Sequence, residues 1–141
     1  MTRYLVDTSV LGAGLFLRPA AVELLAPLIA AREVATSILV YGEPIEHIRG
    51  RIDYEAHRAT LRELLQEVRP YFLTYSILER YAEIRRQMRR PQGEGLIGDV
   101  DTSIAATAIE RHLTVVTADQ DIERIPGLRV MLIPRRALEA R

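Results

Sequence analysis

A chain of 141 residues and 16.0 kDa has room for one hydrophobic core, so residues 1–141 are expected to form one domain. Nineteen Lys+Arg balance nineteen Asp+Glu, so no overall basic field draws the protein to nucleic acid or an anionic membrane, and any such attraction must be local. Every basic residue is Arg and cysteine is absent, which excludes lysine-dependent P-loop NTPases, kinases and Schiff-base enzymes, along with thiolate nucleophiles and cysteine-based metal sites.

The first element is a short β-prone run, Arg3 to Val6, which stops at Asp7-Thr8-Ser9, residues suited to a helix start. An Ala/Leu-rich segment from Ala20 to Ala31 reads as helix, and Val34 to Thr36 as a strand followed by a helix capped near Ser37. The apolar stretches here are broken by Pro19, Glu23, Pro27 and Arg32, so no secretory segment or membrane span is expected and the protein is expected in the cytoplasm. Leu61, Leu64, Leu65 and Val68 recur at helical spacing, which makes Tyr54 to Val68 an amphipathic helix ended by Pro70.

Tyr71 to Tyr75 reads as a strand. Ser76-Ile77-Leu78-Glu79 has the Ser-x-x-Glu pattern of a capping box and predicts a helix from Ser76, with Arg85, Arg86, Arg89 and Arg90 crowding its last turns. Those arginines are equally suited to a solvated helix face and to RNA phosphates. Pro91 to Gly95 is a loop, about Asp99 to His112 a helix, Leu113 to Thr117 a strand, and Arg129 to Ile133 a last strand. Strands alternating with helices predict a parallel sheet covered on both faces.

The informative residues are acidic and sit where elements change. Ligands of open parallel sheets bind outside the carboxyl ends of the strands, where the strand order reverses. Asp7 closes the first strand and Asp119 follows the fourth. Asp101 lies in the first turn of the helix that feeds the fourth strand, and Glu43 lies on the helix after the second. Each alone is an ordinary helix-capping acid. Together they would repel one another unless protonated or neutralised, which implies a cation, and an all-oxygen donor set favours Mg²⁺ or Mn²⁺.

Leu5-Val6-Asp7-Thr8-Ser9, Thr36-Ser37 with Glu43 six residues after the serine, Ile97-Gly98 through Asp101 to Ile104-Ala105-Ala106, and Val115-Val116-Thr117-Ala118-Asp119 resemble PIN-domain ribonucleases, most closely the VapC-type toxins of toxin-antitoxin pairs. The resemblance covers nearly the whole chain. It implies a three-layer α/β fold with a parallel five-stranded sheet ordered 3-2-1-4-5, and a catalytic group of Asp7, Glu43, Asp101 and Asp119. Within that group Asp7, Asp101 and Asp119 would hold Mg²⁺ or Mn²⁺. It also implies endonucleolytic cleavage of RNA, a cognate VapB-like antitoxin and a homodimer.

Thr8 and Thr117 are the hydroxyls expected to orient carboxylates from behind. Pro44 is expected to kink the helix that carries Glu43. Asp121 competes with Asp119 as the fourth acid, Asp99 is expected to cap its helix, and Ala105, Ala106 and Ala108 are expected to bring that helix close to the sheet. Tyr71, Tyr75 and Tyr81 are expected in the core or a dimer interface. Lysine-dependent receivers and aspartyl-phosphate phosphatases are disfavoured for want of a lysine. The remaining alternative is a weak or inactive PIN-like RNA-binding or assembly module.

Overall fold

The computed structural model of the chain describes residues 1–141. β1 (Tyr4–Val6), α1 (Thr8–Leu15), α2 (Pro19–Ala30) and β2 (Val34–Ser37) open the chain, and a 3-10 turn (Ile38–Tyr41) leads into α3 (Gly42–Ile48). α4 (Tyr54–Glu67), β3 (Arg69–Tyr71) and α5 (Tyr75–Met88) follow, then α6 (Asp99–Arg111), β4 (Thr114–Thr117), a second 3-10 turn (Gln120–Arg124), β5 (Val130–Leu132) and α7 (Arg135–Glu139).

Every pairing in the sheet is parallel, as the alternation of elements predicts, and its order β3-β2-β1-β4-β5 is the one the resemblance implies. Leu5 and Val6 are successive residues on opposite faces of the central strand, and both are fully buried, so helices cover the sheet on both sides. Val115 and Val116 repeat the pattern on β4. Twenty buried residues form the main core, among them Leu5, Val10, Leu11, Leu25, Leu61, Ile104 and Val116. A smaller cluster of Ile77, Ile84, Met88, Ala105, Ala106 and Ile125 joins α5 to α6. Ala105 and Ala106 therefore let α6 approach α5, while Ala108 alone of the three packs into the main core.

The register sets the functional edge. Val6 lies opposite Val116, so the residues that follow them, Asp7 and Thr117, meet at the carboxyl ends of adjacent strands. β2 and β3 lie to one side of β1, and β4 and β5 to the other, which puts the reversal of strand order between β1 and β4.

Two boundaries differ from the sequence reading. The third strand is Arg69–Tyr71 rather than Tyr71 to Tyr75. Pro70 is tolerated because β3 is an edge strand, where a missing backbone donor costs no ladder bond on the open side. α5 starts at Tyr75, and its cap is Thr74, whose Oγ1 accepts from the Ile77 backbone N–H at 3.2 Å. Ser76 already lies inside the helix. Thr74→Ala should therefore destabilise the fold by about 1 kcal/mol and Ser76→Ala hardly at all, which denaturant unfolding of the two variants measures directly. Equal losses would return the cap to Ser76.

α7 was not expected from the sequence. It brings Leu138 into the main core against α1 and α2. No single helix is long and apolar enough to cross a membrane. α1 and α2 reach that length only as a pair, and they are bent by 103° at their junction.

Candidate active site

Asp7 is the first residue beyond β1 and is 4% exposed. Its backbone N–H still donates across the sheet to Val116 O at 3.2 Å, while its side chain caps α1. Oδ1 accepts from the Ser9 hydroxyl at 2.6 Å and from the backbone N–H groups of Ser9 and Val10 at 3.1 and 3.3 Å. Oδ2 accepts from the Thr117 hydroxyl. Burial pushes the Asp7 carboxyl above its ordinary range, and the donors from Ser9, Thr117 and Val10 oppose it.

The same hydroxyls tie Asp119 to Asp7. Thr117 Oγ1 accepts from the Asp119 backbone N–H at 2.9 Å, and Ser9 Oγ accepts from Ala118 N at 3.1 Å. The start of α1 and the end of β4 are thus stitched into one unit. Thr117 orients the carboxylate as expected. Thr8 does not: its Oγ1 is buried with no hydrogen-bond partner, and Ser9, passed over in the sequence reading, takes the expected role.

Asp101 projects from the first turn of α6 toward the same place. Its carboxyl is pushed up to about 6, first by burial, then by the charges of Asp119, Asp7 and Glu43 and by the approach of the Asp119 carboxylate. The four acids singled out in the sequence therefore lie around the crevice at the β1–β4 edge, near enough for their charges to act on Asp101. Glu43 is exposed at its rim. Pro44 does not kink α3, because the helix begins at Gly42 and Pro44 falls in the first turn, where no intrahelical acceptor awaits its missing N–H.

Asp121 turns away from the crevice. Its carboxylate lies 3.8 Å from Arg124 Nε, and its backbone N–H donates to Asp119 Oδ1 at 2.9 Å. Asp99 does not cap α6, since the N-cap is Gly98. Its carboxylate accepts instead from Tyr81 OH at 2.9 Å and Arg85 Nη1 at 2.7 Å on α5, so it fastens α5 to α6. Of the arginines grouped on and after α5, Arg85 is thereby engaged, and Arg90 donates to Glu94 O at 3.0 Å. Tyr75 is 90% exposed rather than buried, while Tyr71 and Tyr81 are half-buried.

No arginine or histidine makes an ion pair with Asp7, Glu43, Asp101 or Asp119. An oxygen-only donor set without a counter-cation, beside an orphaned buried hydroxyl on Thr8, suits a hard divalent ion and its waters. No three of these carboxylates are placed close enough together to hold one ion as they stand.

The PIN domain family model matches residues 4–128, which span the sheet through the second 3-10 turn and leave β5 and α7 outside the match. No curated protein sequence matches significantly. Among solved structures, the chain is similar to VapBC2 from Rickettsia felis bound to a DNA fragment from its promoter, at 22% identity and TM-score 0.82, over 94% of this chain and 99% of that one. It is similar to DNA-bound VapBC from Salmonella typhimurium at 22% identity and TM-score 0.82, over 93% and 98% of the two chains. It is also similar to FitAcB from Neisseria gonorrhoeae at 25% identity and TM-score 0.73, over 91% and 96%. With the strand order, the acids at the β1–β4 edge and a family match running across nearly all of the sheet, the chain belongs to the PIN domain family.

Proposed function

We propose that this protein is a metal-dependent endoribonuclease and the toxin of a VapBC-type pair, hydrolysing RNA phosphodiester bonds in the cytoplasm. The observation that carries the reading is Asp7 tied through Thr117 to Asp119 at the carboxyl ends of β1 and β4, with Asp101 and Glu43 near enough to act on each other's charge and no basic partner for any of the four. VapBC complexes among its structural relatives support a VapB-like antitoxin as partner and inhibitor. A homodimer is the assembly that goes with this reading.

Asp7, Asp101 and Asp119 would hold Mg²⁺ or Mn²⁺. When bound, the ion supplies charge neutralisation at the scissile phosphate and lowers the pKa of the attacking water. The protein's own part is orientation and proton handling. Asp7 is locked by four donors, so its aim costs no reordering when substrate arrives. Thr117 couples that aim to Asp119. Asp101, with its carboxyl near 6, is largely ionised at neutral pH, and at lower pH positive charge entering the crevice would displace its proton. Glu43, exposed at the rim, accepts the proton of the attacking water.

The competing reading, an inactive RNA-binding or assembly module, draws on the open spacing of the acids. Incubating purified protein with labelled RNA in Mg²⁺, in Mn²⁺ and in EDTA separates them. Cleavage is expected with either ion and none in EDTA. Intact RNA under all three conditions would leave the module reading in its place.

A further inference from the structure

A cavity of about 300 Å³ opens beside the acidic crevice, between α1, α3 and α7. Ser9, Glu43 and Ala118 form its border with the crevice, so whatever fills it lies against the site. Its walls also carry Arg18, His47 and Arg135. His47 stands one turn after Glu43, on the same side of α3. Arg135 borders a second hollow with Asp119 and Asp121, which places it between the two.

None of these three side chains is in an ion pair, although Glu139 lines the same cavity. The ion pairs of the chain engage Arg3, Arg51, Arg58, Arg80, Arg85, Arg124 and His57, but not Arg18, Arg135 or His47. An unpaired guanidinium near acids that repel anions has a use if one chain of phosphates must pass both, because arginine grips phosphate through two parallel hydrogen bonds. Apolar surface completes the cavity: the Phe16 ring meets the His47 ring edge-on at 5.9 Å, and Leu138 lines the α7 side. The Ser9 hydroxyl stands at the border with the crevice, and Thr8 lines the wall beside it. Cationic, aromatic and hydroxyl groups side by side match the phosphate, base and sugar of a single nucleotide.

Resting on the nuclease reading, we propose that this cavity is the subsite for the RNA nucleotide next to the scissile phosphate, with Arg18 and Arg135 holding its phosphate and Phe16 and His47 bordering its base.

The test measures binding of a short fluorescein-labelled single-stranded RNA of mixed sequence in EDTA, and cleavage of the same RNA in Mg²⁺ and Mn²⁺. The proteins are the full chain and its Arg135→Ala, Arg18→Ala, Arg135→Lys and Arg62→Ala variants, with melting temperatures recorded for each. Arg62 is an exposed arginine of α4 away from the cavity. Each cavity alanine variant should weaken RNA binding about tenfold and flatten the slope of log affinity against log salt by about 0.7, with KM raised, kcat held and the melting temperature kept. Arg135→Lys should restore the slope, and Arg62→Ala should behave as the unchanged protein. If the unchanged protein cleaves RNA while the cavity variants bind and cleave as it does, the subsite is overturned and the cavity is left to a protein partner such as an antitoxin segment. If nothing cleaves but the cavity variants still lose RNA affinity, the cavity is an RNA-binding site, and the nuclease reading falls together with the placing of the nucleotide beside a scissile phosphate. A protein that binds no RNA overturns both.

Discussion

Asp101→Asn is expected to lower RNA cleavage by at least about 100-fold, while Asp99→Ala retains most of it. The two acids lie two residues apart at the start of one helix, but they face different partners. Asp101 faces Asp119, Asp7 and Glu43, whereas Asp99 is held by Tyr81 and Arg85 outside the crevice. Asparagine keeps the shape of Asp101 and removes its charge, so any metal held there loses a ligand. Loss of groups that only orient metal ligands already costs roughly 10- to 100-fold, and a direct ligand should exceed that. Asp99→Ala breaks an exposed ion pair, whose contribution to stability is small. Single-turnover cleavage of one RNA by both purified variants gives the comparison. Equal losses would mean that α6 presents its charge through the wrong acid, or that the α5–α6 fastening controls the site.

The strand order was legible only through the resemblance to PIN domains, since alternation gives parallel pairing but no order, whereas the placing of the acids at one edge was legible from the elements themselves. In an alternating β/α chain, an acid directly after a strand and an acid in the first turn of the preceding helix reach the same edge of the sheet, whatever the details between them. The register of Val6 on Val116 shows this for Asp7 and Thr117. What failed was finer. Thr8 is the hydroxyl the sequence points to, but Ser9 makes the bond. Once Asp7 is the N-cap, its oxygen must reach the second and third residues of the helix, which are Ser9 and Val10, and the first points elsewhere. That rule was available from the sequence. The partner of Asp99 was not, since Tyr81 and Arg85 reach it only through the packing of α5 on α6. α7 escaped for another reason: five residues are too few to display a period, and its one buried residue, Leu138, has no helical echo.

Metal-free protein is expected to lose stability as pH rises from 5 to 7, and Asp101→Asn should remove most of that loss. The folded-state carboxyl of Asp101 titrates near 6, above its ordinary value of 3.8, because burial and three neighbouring acids disfavour its charge. A raised acid contributes its full stability below the unfolded value and loses it as pH climbs through the folded one, so the window is about pH 4 to 6 and the loss is complete at neutrality. Two pH units correspond to about 3 kcal/mol. Asp101 is only half-buried, so solvent screening reduces the whole-window figure to about 1 to 2 kcal/mol and the half of it that falls between pH 5 and 7 to about 0.5 to 1 kcal/mol, a fall of a few degrees in melting temperature. Asparagine carries no charge at any pH, so at pH 7 the metal-free variant should melt above the unchanged protein, although it cleaves far less RNA. Mg²⁺ or Mn²⁺ reverses the order. An ion bound only by the folded state adds about 2.7 kcal/mol at a hundredfold excess over Kd, and it competes with the proton on Asp101, so the rise should be larger at pH 7 than at pH 5 and small in the variant. Thermal melts of both proteins in EDTA and in each ion, at the two pH values, carry the full comparison. A variant that melts below the unchanged protein in EDTA at pH 7 would show that Asp101 is stabilising there rather than strained. An ion-induced rise equal in both would place the cation away from Asp101.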